Sequence, residues 1–252
     1  MQTSTSYPSF TIFRAISTVI ETNIHYPTNN SLIWDCIKTI DRLLKKLKET
    51  GVEIKVRSYK RQAKKNPYKI NNIKSKEKRE EEFKKQLKLL RSSINQAERA
   101  LTAPFPVTME KWIESQAIIK ALRDLLPKAE KVYDISWRHE ILGEAVPNKD
   151  NIFSIYEDHT DIIVKGKRDV EFGHKVNLAT GRSNLILDCR ILNGNPADSA
   201  IYTGVLDNIH ANYGIVPRDV VTDGGYASKD NARSAQEKGI IKIVFNKITG
   251  SL

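Results

Sequence analysis

The residues with the clearest capacity for chemistry lie late in the chain, in Arg218-Asp219-Val220-Val221-Thr222-Asp223-Gly224-Gly225-Tyr226-Ala227-Ser228. An apolar strand ends on Asp223, two glycines follow, and Ser228 opens a helix. The glycines let a bulky polyanion approach the backbone closely. A carboxylate at the end of a buried strand can clamp Mg²⁺ for phosphoryl transfer. The same aspartate also suits a plainer task, capping the helix near Ser228 or turning the chain, and local spacing leaves both readings open. Asp158, Asp161, Glu171 and Asp188 lie on or beside the other expected strands, where acids are usually solvated. A denser group is Lys165-Gly166-Lys167-Arg168 followed by Glu171-Phe172-Gly173-His174-Lys175. Here Lys165, Lys167, Arg168, His174 and Lys175 can meet phosphates, or they form a basic hairpin loop facing solvent.

A second chemical signal is charge. The chain has 252 residues, 41 Lys and Arg against 30 Asp and Glu, and a net charge of +11. Between Arg42 and Arg91 there are 19 basic residues and 6 acids, so the excess belongs to one segment. Lys60, Arg61, Lys64 and Lys65 form its densest part, flanked by Tyr59 and Tyr68, which can stack on exposed bases. Such a segment fits the phosphate backbone, where affinity comes from counterion release and not from sequence reading. A solvated charged helix is the plainer reading of Lys74 to Lys88. No apolar run is long enough to span a membrane, and the N-terminus has no signal-peptide pattern, so DNA in a cytoplasmic setting is the expected partner. Cys36 and Cys189 are the two cysteines, with neither a CxxC nor a zinc spacing. Neither a P-loop, a Rossmann fingerprint nor a serine elbow is present.

The elements that must position these residues change character along the chain. Phe10 to Asn23 is rich in β-branched and aromatic residues and predicts a strand. Apolar residues from Leu32 to Leu47 recur at helical spacing after the caps at Thr28 to Ser31, and Gly51 ends that helix. Val52 to Tyr68 reads as a loop or broken helix. Lys74 to Ala103 predicts a charged helix with a stripe of Phe83, Leu87, Leu90, Ile94, Ala97 and Leu101. A helix from Thr108 carries Trp112, Ile113, Ile119 and Leu122, with a kink or an end at Pro127. A further helix runs from Ala129 to Leu142.

The period then shortens. Strands are expected at Asn151 to Glu157, Asp161 to Val164, Glu171 to Ala179 and Asn184 to Leu192, the last two as a hairpin. A helix at Ala197 to Tyr213, a strand at Asp219 to Thr222, a helix at Ser228 to Lys238 and a strand at Ile240 to Phe245 complete the series. A hairpin followed by βαβ units predicts an α/β fold: an RNase H-like mixed sheet with a large helical insertion after its first strand. The expected parts are residues 1–28 (first strand), 29–150 (helical, basic insertion) and 151–252 (remainder of the core, lacking its C-terminal part).

Several runs together resemble the DDE transposases of bacterial insertion sequences, in particular the ISNCY group. They are Ser17 to Thr28, Lys131 to Asp134, Ile152 to Arg168, Glu171 to Val176, Gly194-Asn195-Pro196-Ala197-Asp198, and Asp223 to Ser228. The resemblance implies a Mg²⁺-dependent domain that cuts and rejoins transposon ends using three carboxylates. Asp223 falls on the second of these. The first should immediately precede Ser17, where this chain has Ile16. The third, a glutamate further downstream, has no counterpart before Leu252. The resemblance therefore implies a decayed transposase that is catalytically inert. The alternatives are a non-catalytic DNA-binding module, acting alone, as a homo-oligomer or in mixed oligomers with an intact transposase, and a site in which Glu21 or Asp158 replaces a lost ligand.

Overall fold

The computed structural model describes residues 12–104, 108–165 and 169–246, which divide into two compact units. One comprises the residues up to Thr22 and those from Asp161 onward; the other is the intervening Asn23–Thr160.

The first unit is built on a six-stranded sheet. Strand β1 (Ile12–Glu21) pairs antiparallel with β3 (Asp169–Thr180) on one edge and parallel with β5 (Asp219–Asp223) on the other. Strand β6 (Lys242–Asn246) continues the parallel side beyond β5. The far edge of β3 carries two short strands in succession, β2 (Asp161–Lys165) and β4 (Ile186–Ile191). This mixed α/β arrangement is RNase H-like, as expected. Alternation along the strands explains the packing: Phe13, Ala15, Ala179 and Val220 point to one face. That face is covered by Tyr202, Val205, Leu206 and Ile209 of helix α5 (Asp198–Tyr213) and Ala235 of helix α6 (Lys229–Glu237).

Glu21 and Asp161 share one register partner, Gly173, on opposite edges of β3. The chain thus leaves the sheet at the end of β1 and rejoins it at β2 across two strand spacings, about 10 Å. A Cβ at Gly173 would meet the Ile20 carbonyl oxygen at 2.1 Å, so only glycine fits between these edges.

The second unit is helical: α1 (Asn29–Glu49), α2 (Lys60–Asn72), α3 (Lys76–Leu101) and α4 (Met109–Trp137). Helix α1 starts at Thr28, whose hydroxyl accepts from the Ser31 amide in a capping box. The expected stripe on α3 is buried at Phe83, Leu87, Leu90, Ile94 and Ala97, against Ile33, Ile37, Ile40 and Leu44 of α1 and Ile119 and Leu122 of α4.

Three expectations need correction. Pro127 neither ends nor divides its helix: α4 runs through it and passes into one π-helical turn, Arg138–Leu142, closed by Gly143 at φ 68°. Proline removes one N–H from the ladder, but Leu122, Leu125, Ala129 and Val132 form one buried stripe across it. Trp112 and Ile113 are exposed instead of joining that stripe. Residues 151–157 form no strand: the Ser154 hydroxyl accepts from the Tyr156 and Glu157 amides, each at 3.1 Å, and bends the chain. Ile152 and Ile155 then enter the helical core as single anchors.

Candidate functional site

At the carboxyl end of β5, Asp223 is half-buried and its Oδ1 accepts from the Gly225 amide at 2.8 Å. It thereby caps the short 3₁₀ turn Gly224–Tyr226. Helix α6 has its own cap, the Ser228 hydroxyl accepting from the Asn231 amide at 3.0 Å. Asp223 therefore turns the chain and leaves the following helix to Ser228.

The parallel ladder ends on the pair Ala15 and Thr222, and Ile16 and Asp223 are the residues that follow it on the two strands. Ala15 and Thr222 belong to the covered face, so Ile16 belongs to the opposite one. Ile16 is 51% exposed there. Glu21 lies five residues further along β1, about 17 Å away, too far to share a cation with Asp223.

A polar group that the sequence reading passed over lies on the covered side. Asp198, in the first turn of α5, accepts from the Ser17 hydroxyl at 2.6 Å and pairs with the Lys175 ammonium at 2.8 Å. Lys175 also donates to the Pro196 carbonyl at 2.7 Å. Ser17 lies 3.0 Å from the Tyr226 phenol oxygen, which is in turn hydrogen-bonded to the Asn177 amide group. Burial pushes the Tyr226 phenol up to about 12, and the Asp198 and Asp223 carboxylates add to the effect. In the sequence Asp198 has the ordinary signature of an acid at a helix start, and its partners stand 181 and 23 residues away, so no local spacing marks it.

The other expected site residues are scattered. Lys175, expected at phosphates, has its ammonium held inside the fold by Asp198 and Pro196. His174 Nδ1 is 3.9 Å from Asp161, whose Oδ2 also accepts from the Gly194 amide at 2.8 Å. Asp188 is paired with Arg190 at 2.9 Å. In the helical unit Asp158 is paired with Lys128 at 2.8 Å, which holds its carboxyl below the usual range. Lys167 and Arg168 lie outside the described residues, as does the side chain of Lys165. Lys60, Arg61, Lys64 and Lys65 are all exposed on α2, while Ala63 and Ile70 of the same helix are buried. Tyr59 precedes that helix, with the Arg57 guanidinium 5.5 Å from its ring centre.

Among known families, residues 158–247 match the transposase DDE domain. This segment, about a third of the chain, is similar to that family. The matched segment spans β2 to β6 and includes Asp198 and Asp223, while β1 with Ile16 precedes it. No curated protein and no solved structure matches the chain. DDE transposases use a divalent metal, and the described residues of the matched segment fit one poorly. Among the described residues no three His, Cys, Asp or Glu side chains converge. Ile16, which follows the last β1–β5 ladder pair, has no ligating atom, and Asp198 is paired with Lys175. Among the described residues no helix is long and apolar enough to cross a membrane.

Proposed function

We propose that this chain is a DNA-binding transposase of the DDE group that has lost phosphoryl transfer. The observation that carries this reading is Ile16, next after the last β1–β5 ladder pair, a side chain with no lone pair where the sequence resemblance calls for a carboxylate. Removing one anionic ligand from such a site takes away charge compensation that the transition state needs. The purified chain, incubated with DNA bearing its terminal repeats and Mg²⁺ or Mn²⁺, should neither nick nor join strands. Any metal-dependent cleavage would overturn the proposal.

DNA binding itself is supported by α2, whose Lys60, Arg61, Lys64 and Lys65 face solvent as one charged surface. Binding of this kind weakens steeply with salt, log K falling by about 0.9 per phosphate neutralised. Replacing the four residues with alanine should reduce that slope by up to about 3 to 4 and weaken binding similarly for all sequences. A duplex that is not retarded by the parent chain even at low salt would reject the binding role. Where an intact transposase is present in the same nucleoid, mixed oligomers on shared DNA would make the chain an inhibitor, detectable as co-purification and reduced transposition.

A further inference from the structure

We propose that Asp198 is a positioning residue: clamped by Lys175 and Ser17, it forms the wall against which the Gly224–Tyr226 turn is seated, and so fixes where Asp223 points.

Three observations converge on this role. First, the hydrogen bonds around Asp198 have a defined direction. A carboxylate only accepts, so the Ser17 hydroxyl donates its proton to Asp198. The Tyr226 phenol must then donate to the Ser17 oxygen, while its own oxygen accepts from Asn177. A single chain, Asn177 to Tyr226 to Ser17 to Asp198, thus ends on a carboxylate and ties the turn after β5 to the strand beside it. Second, Lys175 is only 8% exposed and its ammonium has two acceptors, Asp198 and the Pro196 carbonyl. A buried pair of this kind is costly to break from one side, since the remaining charge is left uncompensated. Third, Gly225 packs against the same carboxylate. A Cβ there would lie 2.7 Å from Asp198 Oδ2 and 3.0 Å from Asp223 Oδ1. Both carboxylates therefore pack against a single glycine, Asp198 held by Lys175 and Asp223 by the Gly225 amide.

Asp198 thus acts on Asp223 through the turn between them. The inference concerns the geometry of the turn and does not depend on whether the chain binds or cuts DNA. Amide hydrogen exchange on the full-length chain tests it, because the Gly225 amide is the hydrogen bond that orients Asp223. In Asp198→Asn and in Lys175→Met, exchange at Gly225 should quicken about tenfold or more while the Val220 and Val244 amides of the β5–β6 ladder keep their protection. Asp198→Asn should also lower the pH at which the Tyr226 phenol titrates, followed by its ¹³Cζ resonance, because a nearby negative charge is removed. If either single variant fails to fold, the pair Asp198→Asn/Lys175→Met removes both charges together and the same local loss at Gly225 is expected. Gly225 protection equal to that of the parent, or a uniform fall across all amides, would refute the positioning role. Loss of DNA binding would leave these readouts unchanged, so the two proposals fail separately.

Discussion

Ile16 and Asp223 each follow the last pair of the β1–β5 ladder on neighbouring strands, and the chemistry open to that spot depends on the side chain at position 16. Adjacent strands lie about 4.8 Å apart, a spacing at which two carboxylates can share one cation. Ile16→Asp should therefore create Mn²⁺ binding that the parent lacks, measured by titration calorimetry, and adding Asp223→Asn should abolish it. An Ile16→Asp chain that gives no binding heat would show that position 16 is not a ligand position. A second consequence is set by burial. The Tyr202 and Tyr226 phenols are both pushed up to about 12 from the ordinary 10.0. Their folded-state values lie above the unfolded one, so their contribution is complete below pH 10 and is lost as pH rises from about 10 to about 12. The thermal midpoint should fall through that window. The Tyr202 hydroxyl has no hydrogen-bond partner, so Tyr202→Phe should flatten the fall with little effect at neutral pH. At this scale Asp223 was visible in the sequence because strand, acid and paired glycines are contiguous. Asp198 was not, because its partners Ser17 and Lys175 come from two other strands.

Among the elements, α4 departs furthest from its sequence signals. Its buried stripe is continuous from Ile119 through Val132, and the energy of that burial outweighs the missing hydrogen bond at Pro127. Pro127→Ala supplies the absent N–H without disturbing the stripe. It should stabilise the chain by about 1–3 kcal/mol, read as a higher midpoint in urea. A lower midpoint would mean that the proline ring at position 127 is needed for packing. The other helices and most strands were legible because their periods of 3.6 and 2 are clean: the α3 series is one buried row, and β3 and β4 form the hairpin their turn residues call for. Residues 151–157 misled because Ile152 and Ile155 suggested a β-rich run. The side-chain bond from Ser154 that bends the segment has no counterpart in periodicity.

For the whole molecule, the candidate features fall in different units. The RNase H-like sheet carries Asp223 and Asp198, while the helical unit carries the exposed basic row on α2. Each has its own apolar cluster. The sheet supports this division through Gly173, whose two neighbours across the strands, Glu21 and Asp161, are where the polypeptide departs and returns. A bridge of about five Gly and Ser residues spans that gap. Replacing residues 23–160 with such a bridge should leave a cooperatively melting sheet that no longer shifts DNA, and loss of dispersed NMR resonances would show that the sheet cannot stand alone. The chain thus departs from the sheet and returns to it at the level of one glycine. Any compact domain whose ends lie about 10 Å apart could be mounted there without altering the register of a single strand.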